Sequence, residues 1–248
     1  MRKKYDTDLT DEQWNEIAPL FNGMRKYKWE KREWLDAVFY LVDSGCKWRQ
    51  LPHDFPPAFT VHSFYRRAKL SGLWDKILEH MVRLTRKNAG LDENPTVALV
   101  DSQTVQNASA SEQAGYDAGK IKRQIVTDKI GCLLAVVTHK ANQHDTKIGI
   151  WAAIFAFFVY ATIKKFCADG GYRKTFIAQV KEYLGLEVEI SQKITPHGWQ
   201  VISPRWVVER TFAWLNNSRR LSKNYEYSMS SAEAMVKISH IHTLIKRL

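Results

Sequence analysis

Three carboxylates in this chain stand where an acid is costly to keep. Four apolar residues, Val97, Ala98, Leu99 and Val100, run straight into Asp101. Such a run reads as a central strand buried on both faces, so the pattern predicts a strand that ends in an acid. It returns in IKKFCAD, where the stretch from Ile163 ends at Asp169 and is followed by Gly170, Gly171 and Tyr172. A third acid, Glu209, lies in RWVVERTFAWL, whose apolar residues repeat at helical spacing. Two carboxylates about 4 Å apart repel by about 4 kcal/mol at an effective dielectric near 20, so three together call for a cation. Mg²⁺ binds through one or two carboxylates while keeping water and phosphate oxygens, and a pair of ions suits in-line displacement at phosphorus. Taken singly, an aspartate closing a strand is more often a cap or turn residue.

The elements that must position these acids form two groups. Up to LDENP at Leu91–Pro95 the apolar spacing is helical. Thr10 is placed to cap a first helix, a second runs from about Lys31 to Gly45, and a third follows Thr60 as its cap and closes at Gly72. Leu73 to Asn88 makes a fourth. Beyond LDENP come strands at 97–101, 121–127 and 132–139, with Asp128 to Gly131 as a hairpin turn in which Asp128 reads as a turn residue. An apolar helix near Ile148, a strand ending at Asp169, a helix at 173–184 and a strand at 187–190 follow. The Glu209 helix and a last helix at 231–247 close the chain. The polar stretch between Asp101 and Ile121 reads as a loop over the acids. This predicts an α/β fold, a mixed sheet flanked by helices behind an all-α front, with domains at 1–92 and 93–248.

The net charge of +11 points to a polyanionic partner. Both parts are basic, with 17 Lys and Arg against 12 Asp and Glu up to residue 90 and 20 against 14 beyond it. On the third helix Arg66, Arg67 and Lys69 are available outward, as a helix-turn-helix reader of DNA would place them, or as the solvated face of an ordinary bundle. In GKIKRQ, Lys120, Lys122 and Arg123 are further candidate DNA contacts. Cys46, Cys132 and Cys167 lack paired or metal-ligand spacing and read as reduced core residues of a cytosolic protein. The opening MRKKYDTDLT has no signal-peptide pattern, and the apolar stretch Ile148 to Ile163 is short for a membrane span, so it reads as a buried helix or a dimer face.

At VDSQTV, GYDAGK, ANQHDT, ADGGYRK and PRWVVERTFAWLNNSRRLSKNYE the sequence resembles the DDE transposases of bacterial insertion sequences. LTDEQW and GCKWRQLPHDFP extend the resemblance to the front. It implies a ribonuclease-H-like catalytic domain in which Asp101, Asp169 and Glu209 bind two Mg²⁺ ions, for which Mn²⁺ can substitute. It also implies that Arg205 holds phosphate or orients the glutamate. Arg210, Arg219, Arg220 and Lys223 would continue as a basic strip along the transposon end, with a solvated helix end as the alternative for Arg219 and Arg220. Tyr172 and Arg173 would either touch DNA or start a helix. His139 and His144 read as structural. The function implied is binding of terminal inverted repeats, cleavage to a 3′-hydroxyl and strand transfer into target DNA, by a homodimer that is cytoplasmic and nucleoid-associated, with no membrane partner. A cleavage-only nuclease and a non-catalytic DNA-binding descendant are the rivals.

Overall fold

The computed structural model describes residues 4–25, 28–108, 119–191 and 205–248, with the backbone alone for Arg205. Among them are the helices α1 (Asp11–Ile17), α2 (Lys31–Ser44), α3 (Ala58–Leu70) and α4 (Leu73–Asn88), then the strands β1 (Val97–Gln106), β2 (Lys120–Asp128) and β3 (Leu133–Lys140). The helix α5 (Asp145–Val159), the strand β4 (Lys165–Ala168), α6 (Thr175–Leu184), β5 (Glu187–Ile190), α7 (Arg205–Asn216) and α8 (Met229–Ile245) complete the chain. The α/β class with an all-helical front is as the sequence predicts.

Local chemistry explains most boundaries. The side chain of Thr10 accepts from the Gln13 N–H while Gln13 reaches back to the Thr10 N–H, a reciprocal cap that fixes the start of α1. Helix α2 ends where Gly45 takes a left-handed φ of 69°. Helix α3 departs from the sequence reading: Pro57 stands at its N-cap, and Thr60 lies inside the first turn with its hydroxyl donated to the Pro57 carbonyl.

The sheet has the order β3-β2-β1-β4-β5, with β1 antiparallel to β2 and parallel to β4. Its two faces can be told apart on β2, because neighbouring strand residues point to opposite sides. Arg123 donates to the carbonyls of Leu221 and Lys223 on one face, whereas Gln124 meets Tyr172 and Gly149 of α5 on the other. Helix α8 covers the Arg123 face, since Thr138, paired with Arg123, donates its hydroxyl to the Met229 carbonyl. Helix α8 also packs on α2 and α4, and the segments expected as separate domains share one contiguous apolar core from Leu9 to Ile245. Among the described residues no helix is long and apolar enough to cross a membrane.

Candidate active site

Register brings the first two acids together. Strands β1 and β4 are parallel neighbours with Val100 opposite Ala168, so the next residue on each side, Asp101 and Asp169, stands abreast. Adjacent strands lie about 4.8 Å apart, which puts the two carboxylates within reach of one ion. Both line one small cavity with Ser191 and Val208. Asp101 accepts the Ser102 N–H at 2.8 Å, and Asp169 accepts the Gly171 N–H at 2.8 Å as the cap of a short 3₁₀ turn, Gly170–Tyr172.

Asp101 is not the last residue of its strand, as the sequence suggested. Beyond it SQTVQ keeps an alternation that β2 can use, and β1 runs on to Gln106 opposite Lys120. Val105 and Ile121 meet Met229 and Ala232 in a small second cluster. What ends near Asp101 is β4, so the acid lies where the sheet opens at the carboxyl end of a parallel pair, the general position of ligand crevices in α/β sheets.

The third acid is placed differently. Val208 of α7 lines the cavity of the two aspartates, and its neighbour Glu209 is solvent-exposed. Among the described residues, no group of three or more His, Cys, Asp or Glu side chains is gathered to hold a metal ion. The register thus sets Asp101 and Asp169 side by side, with Glu209 on the helix whose Val208 borders their cavity. Two carboxylates, each with one oxygen turned to a backbone N–H, still fit the donor set of a single Mg²⁺ that keeps water and phosphate oxygens as its other ligands.

Behind the acids is a support that the sequence reading missed. The Tyr172 ring is buried, its hydroxyl pairs with the Gln124 amide, and burial followed by the nearby Asp101 charge pushes its ionisation far up. Tyr172 is thus a core residue and not a DNA contact. Gly149 makes this possible: a Cβ there would lie 2.9 Å from the Tyr172 ring. A helical glycine facing a buried strand was the available signal.

The expected DNA contacts divide into surface and interior. Arg66, Arg67, Lys120, Arg173, Arg219 and Lys223 are exposed. Lys69 donates to Ser230 and Ser231 at the start of α8, and Lys122 pairs with Asp145 at 2.8 Å. The side chain of Arg205, the first residue of α7, lies outside the described part, as does residue range 109–118 of the expected loop.

Two of these assignments are corrected. Arg123 is 2% exposed, and burial draws its guanidinium down to about 10. It shares a strand face with Ile121 and Ile125, so period-two alternation assigns it to the interior. Arg220 is also buried: it donates to Glu226 at 2.6 and 2.9 Å and to the Cys46 carbonyl, tying the front helices to the back. Arg210 is half-buried between the rings of Trp206 and Trp214, 4.5 and 4.6 Å from their centroids, and donates to the Ile130 carbonyl. His144 caps α5, and His139 is buried with burial pushing its pKa down.

Comparison with known families gives this geometry its setting. The family described as "Transposase DDE domain" matches residues 92–244, which contain all three acids and the whole sheet. The chain belongs to that family. Its front, residues 9–78, matches the family described as "Putative transposase of IS4/5 family". A curated relative, "Putative transposase for insertion sequence element IS402" of Burkholderia cepacia, is 32% identical over 124 residues, covering 47% of this chain. The matched part spans 59% of that relative's length. Among solved structures, "Crystal structure of the Mos1 Strand Transfer Complex" aligns over 91% of this chain and 78% of its own at 12% identity, with a TM-score of 0.36. For a DDE-domain chain, the ribonuclease-H-like arrangement is the mixed sheet described above, with Asp101 on β1 and Asp169 just past the end of its parallel neighbour β4.

Proposed function

We propose that this transposase binds the terminal inverted repeats of an insertion sequence and cuts DNA to a 3′-hydroxyl. The same site then transfers that end into target DNA. The observation that carries the reading is the β1–β4 register, which sets Asp101 beside Asp169 within a DDE domain. Asp101 and Asp169 would hold a divalent cation, Mg²⁺ or Mn²⁺; when bound, such a cation neutralises charge on the scissile phosphate and lowers the pKa of water. Glu209, on the helix whose Val208 borders the same cavity, is proposed as the third ligand, and the three acids together would hold two ions. The exposed Arg66, Arg67, Arg173, Arg219 and Lys223 supply phosphate contacts, which position DNA without reading its sequence. Because two ends must be held at once, the working form is a homodimer, located with the nucleoid in the cytoplasm.

The rival reading is a DNA-binding descendant whose acids no longer act. Incubating the chain with labelled end DNA, a target plasmid and Mg²⁺ or Mn²⁺ separates the two. Joined products that vanish in Asp101→Asn, with DNA binding retained, support the transposase. Cleaved but unjoined ends would reduce it to a nuclease, and binding without cleavage would leave the second reading standing.

A further inference from the structure

Helix α5 is apolar on the side that faces away from the protein. Gly149, Ile150, Ala152, Ala153 and Ala156 pack inward, as small residues must where α5 lies close on the sheet. Outward stand Trp151, Phe155, Phe158 and Val159, exposed by 53, 53, 87 and 40%. Their spacing of four, three and one residues makes a single stripe, and no charged residue interrupts α5 after Lys147. Solvent-facing helices normally carry charge there. Beside the stripe runs a groove of about 400 Å³ floored by Leu78, Leu134 and Val136, with Phe155 and Phe158 on its lip.

We infer that this face is the contact between two copies of the chain, with each Phe158 seated in the groove of its partner. This names the interface of the homodimer proposed above and rests on that reading. Knob and hole belong to one patch, so a two-fold axis satisfies both at once, as an isologous interface requires. The area is also of the right size. With large aromatics burying about 150–250 Å² each, the exposed parts of the four side chains amount to roughly 450 Å² per copy, or about 900 Å² for a pair. A standard interface buries about 1,600 Å² in total, and about 65% of a homodimer interface is apolar, so the stripe supplies nearly the whole apolar core.

The chemistry of the rim selects protein over nucleic acid. Asp75, Glu79 and Glu233 stand around the groove, Asp75 paired with Lys237 and Glu79 with Arg83, and the negative charge left over would repel a phosphate backbone. The position leaves the acids open. Tyr160, at the end of α5, leads to Lys164, whose N–H bonds the Thr96 carbonyl just before β1. That point is five residues from Asp101 along the strand, roughly 16 Å.

The test is the mass of the full chain in solution without DNA, by sedimentation or light scattering at micromolar concentration. The wild type is expected at twice the chain mass. Phe158→Glu and Trp151→Ser are expected to weaken self-association at least a hundredfold with circular dichroism and Tm unchanged. Tyr183→Glu, on another exposed aromatic, should remain dimeric. A monomeric wild type, a dimer untouched by Phe158→Glu, or one lost equally in Tyr183→Glu overturns the inference. Since no DNA is present, a dimer that cuts nothing would keep this interface and sink the catalytic reading, and a monomer that cuts and joins would do the reverse.

Discussion

Arg86 and Asp128 form an ion pair with Nη1 and Oδ2 2.5 Å apart, 4% and 0% exposed. Arg86 comes from the end of α4 and also donates to the Asp92 carbonyl, so one guanidinium ties the helical front, the connecting segment and the end of β2. The other carboxylate oxygen of Asp128 accepts the N–H groups of Ile130 and Cys132, which holds the β2–β3 turn. Removing one partner of a buried pair leaves a charge without compensation, at a cost of about 3–5 kcal/mol. Asp128→Ala is therefore expected to lose that much in denaturant unfolding. A loss below about 1 kcal/mol would mean that water reaches the pair.

Acid should weaken the fold through histidines. Burial, with the Arg247 charge, holds His240 down to about 3, and burial, with the Lys246 charge, holds His242 to about 4. His240 accepts the Leu133 N–H at 2.9 Å, which requires a neutral ring nitrogen. Both are neutral when folded, whereas the unfolded chain takes up protons below the ordinary value near 6.5. Their stabilisation is complete above that pH and is lost as pH falls toward 3–4, by about 2 kcal/mol each at pH 5. Urea unfolding between pH 7.5 and 5 measures it, and His240→Gln should flatten the dependence.

Lys174 carries a strained backbone, with φ 61° and ψ −94° directly after the Asp169 turn. A non-glycine residue there costs about 1–3 kcal/mol, of which glycine's own chain entropy returns about 0.5–1. Lys174→Gly is expected to raise stability by about 1 kcal/mol, or about 2–4 °C in Tm for a chain of this size. Lys174→Ala, which keeps the strain, should leave Tm near the wild-type value.

Periodic apolar patterns made much of the fold legible. The bounds of α4 at Leu73–Asn88 and of β5 at Glu187–Ile190 follow from spacing and from the turn residues beside them. The pair Asp101 and Asp169 was legible as types of residue at strand ends, but their standing side by side depends on register, which pairs residues 68 apart in the chain. Arg123 and Arg220 were misread because a cation in a basic run looks solvated until the strand face or the partner carboxylate is known. In α5 every position after Lys147 is apolar, so periodicity could not say which side meets the sheet; the four exposed side chains appear only once Gly149 is set against Tyr172.

The central claim is that Asp101 and Asp169 act as one cation site, and Mn²⁺ binding followed by electron paramagnetic resonance on the full chain tests it most directly. The wild type is expected to bind, and Asp101→Asn and Asp169→Asn should each weaken binding by about tenfold or more, with metal-free Tm unchanged or raised by relief of repulsion. Equal Mn²⁺ binding by the wild type and both variants, or none by any of them, would contradict the account.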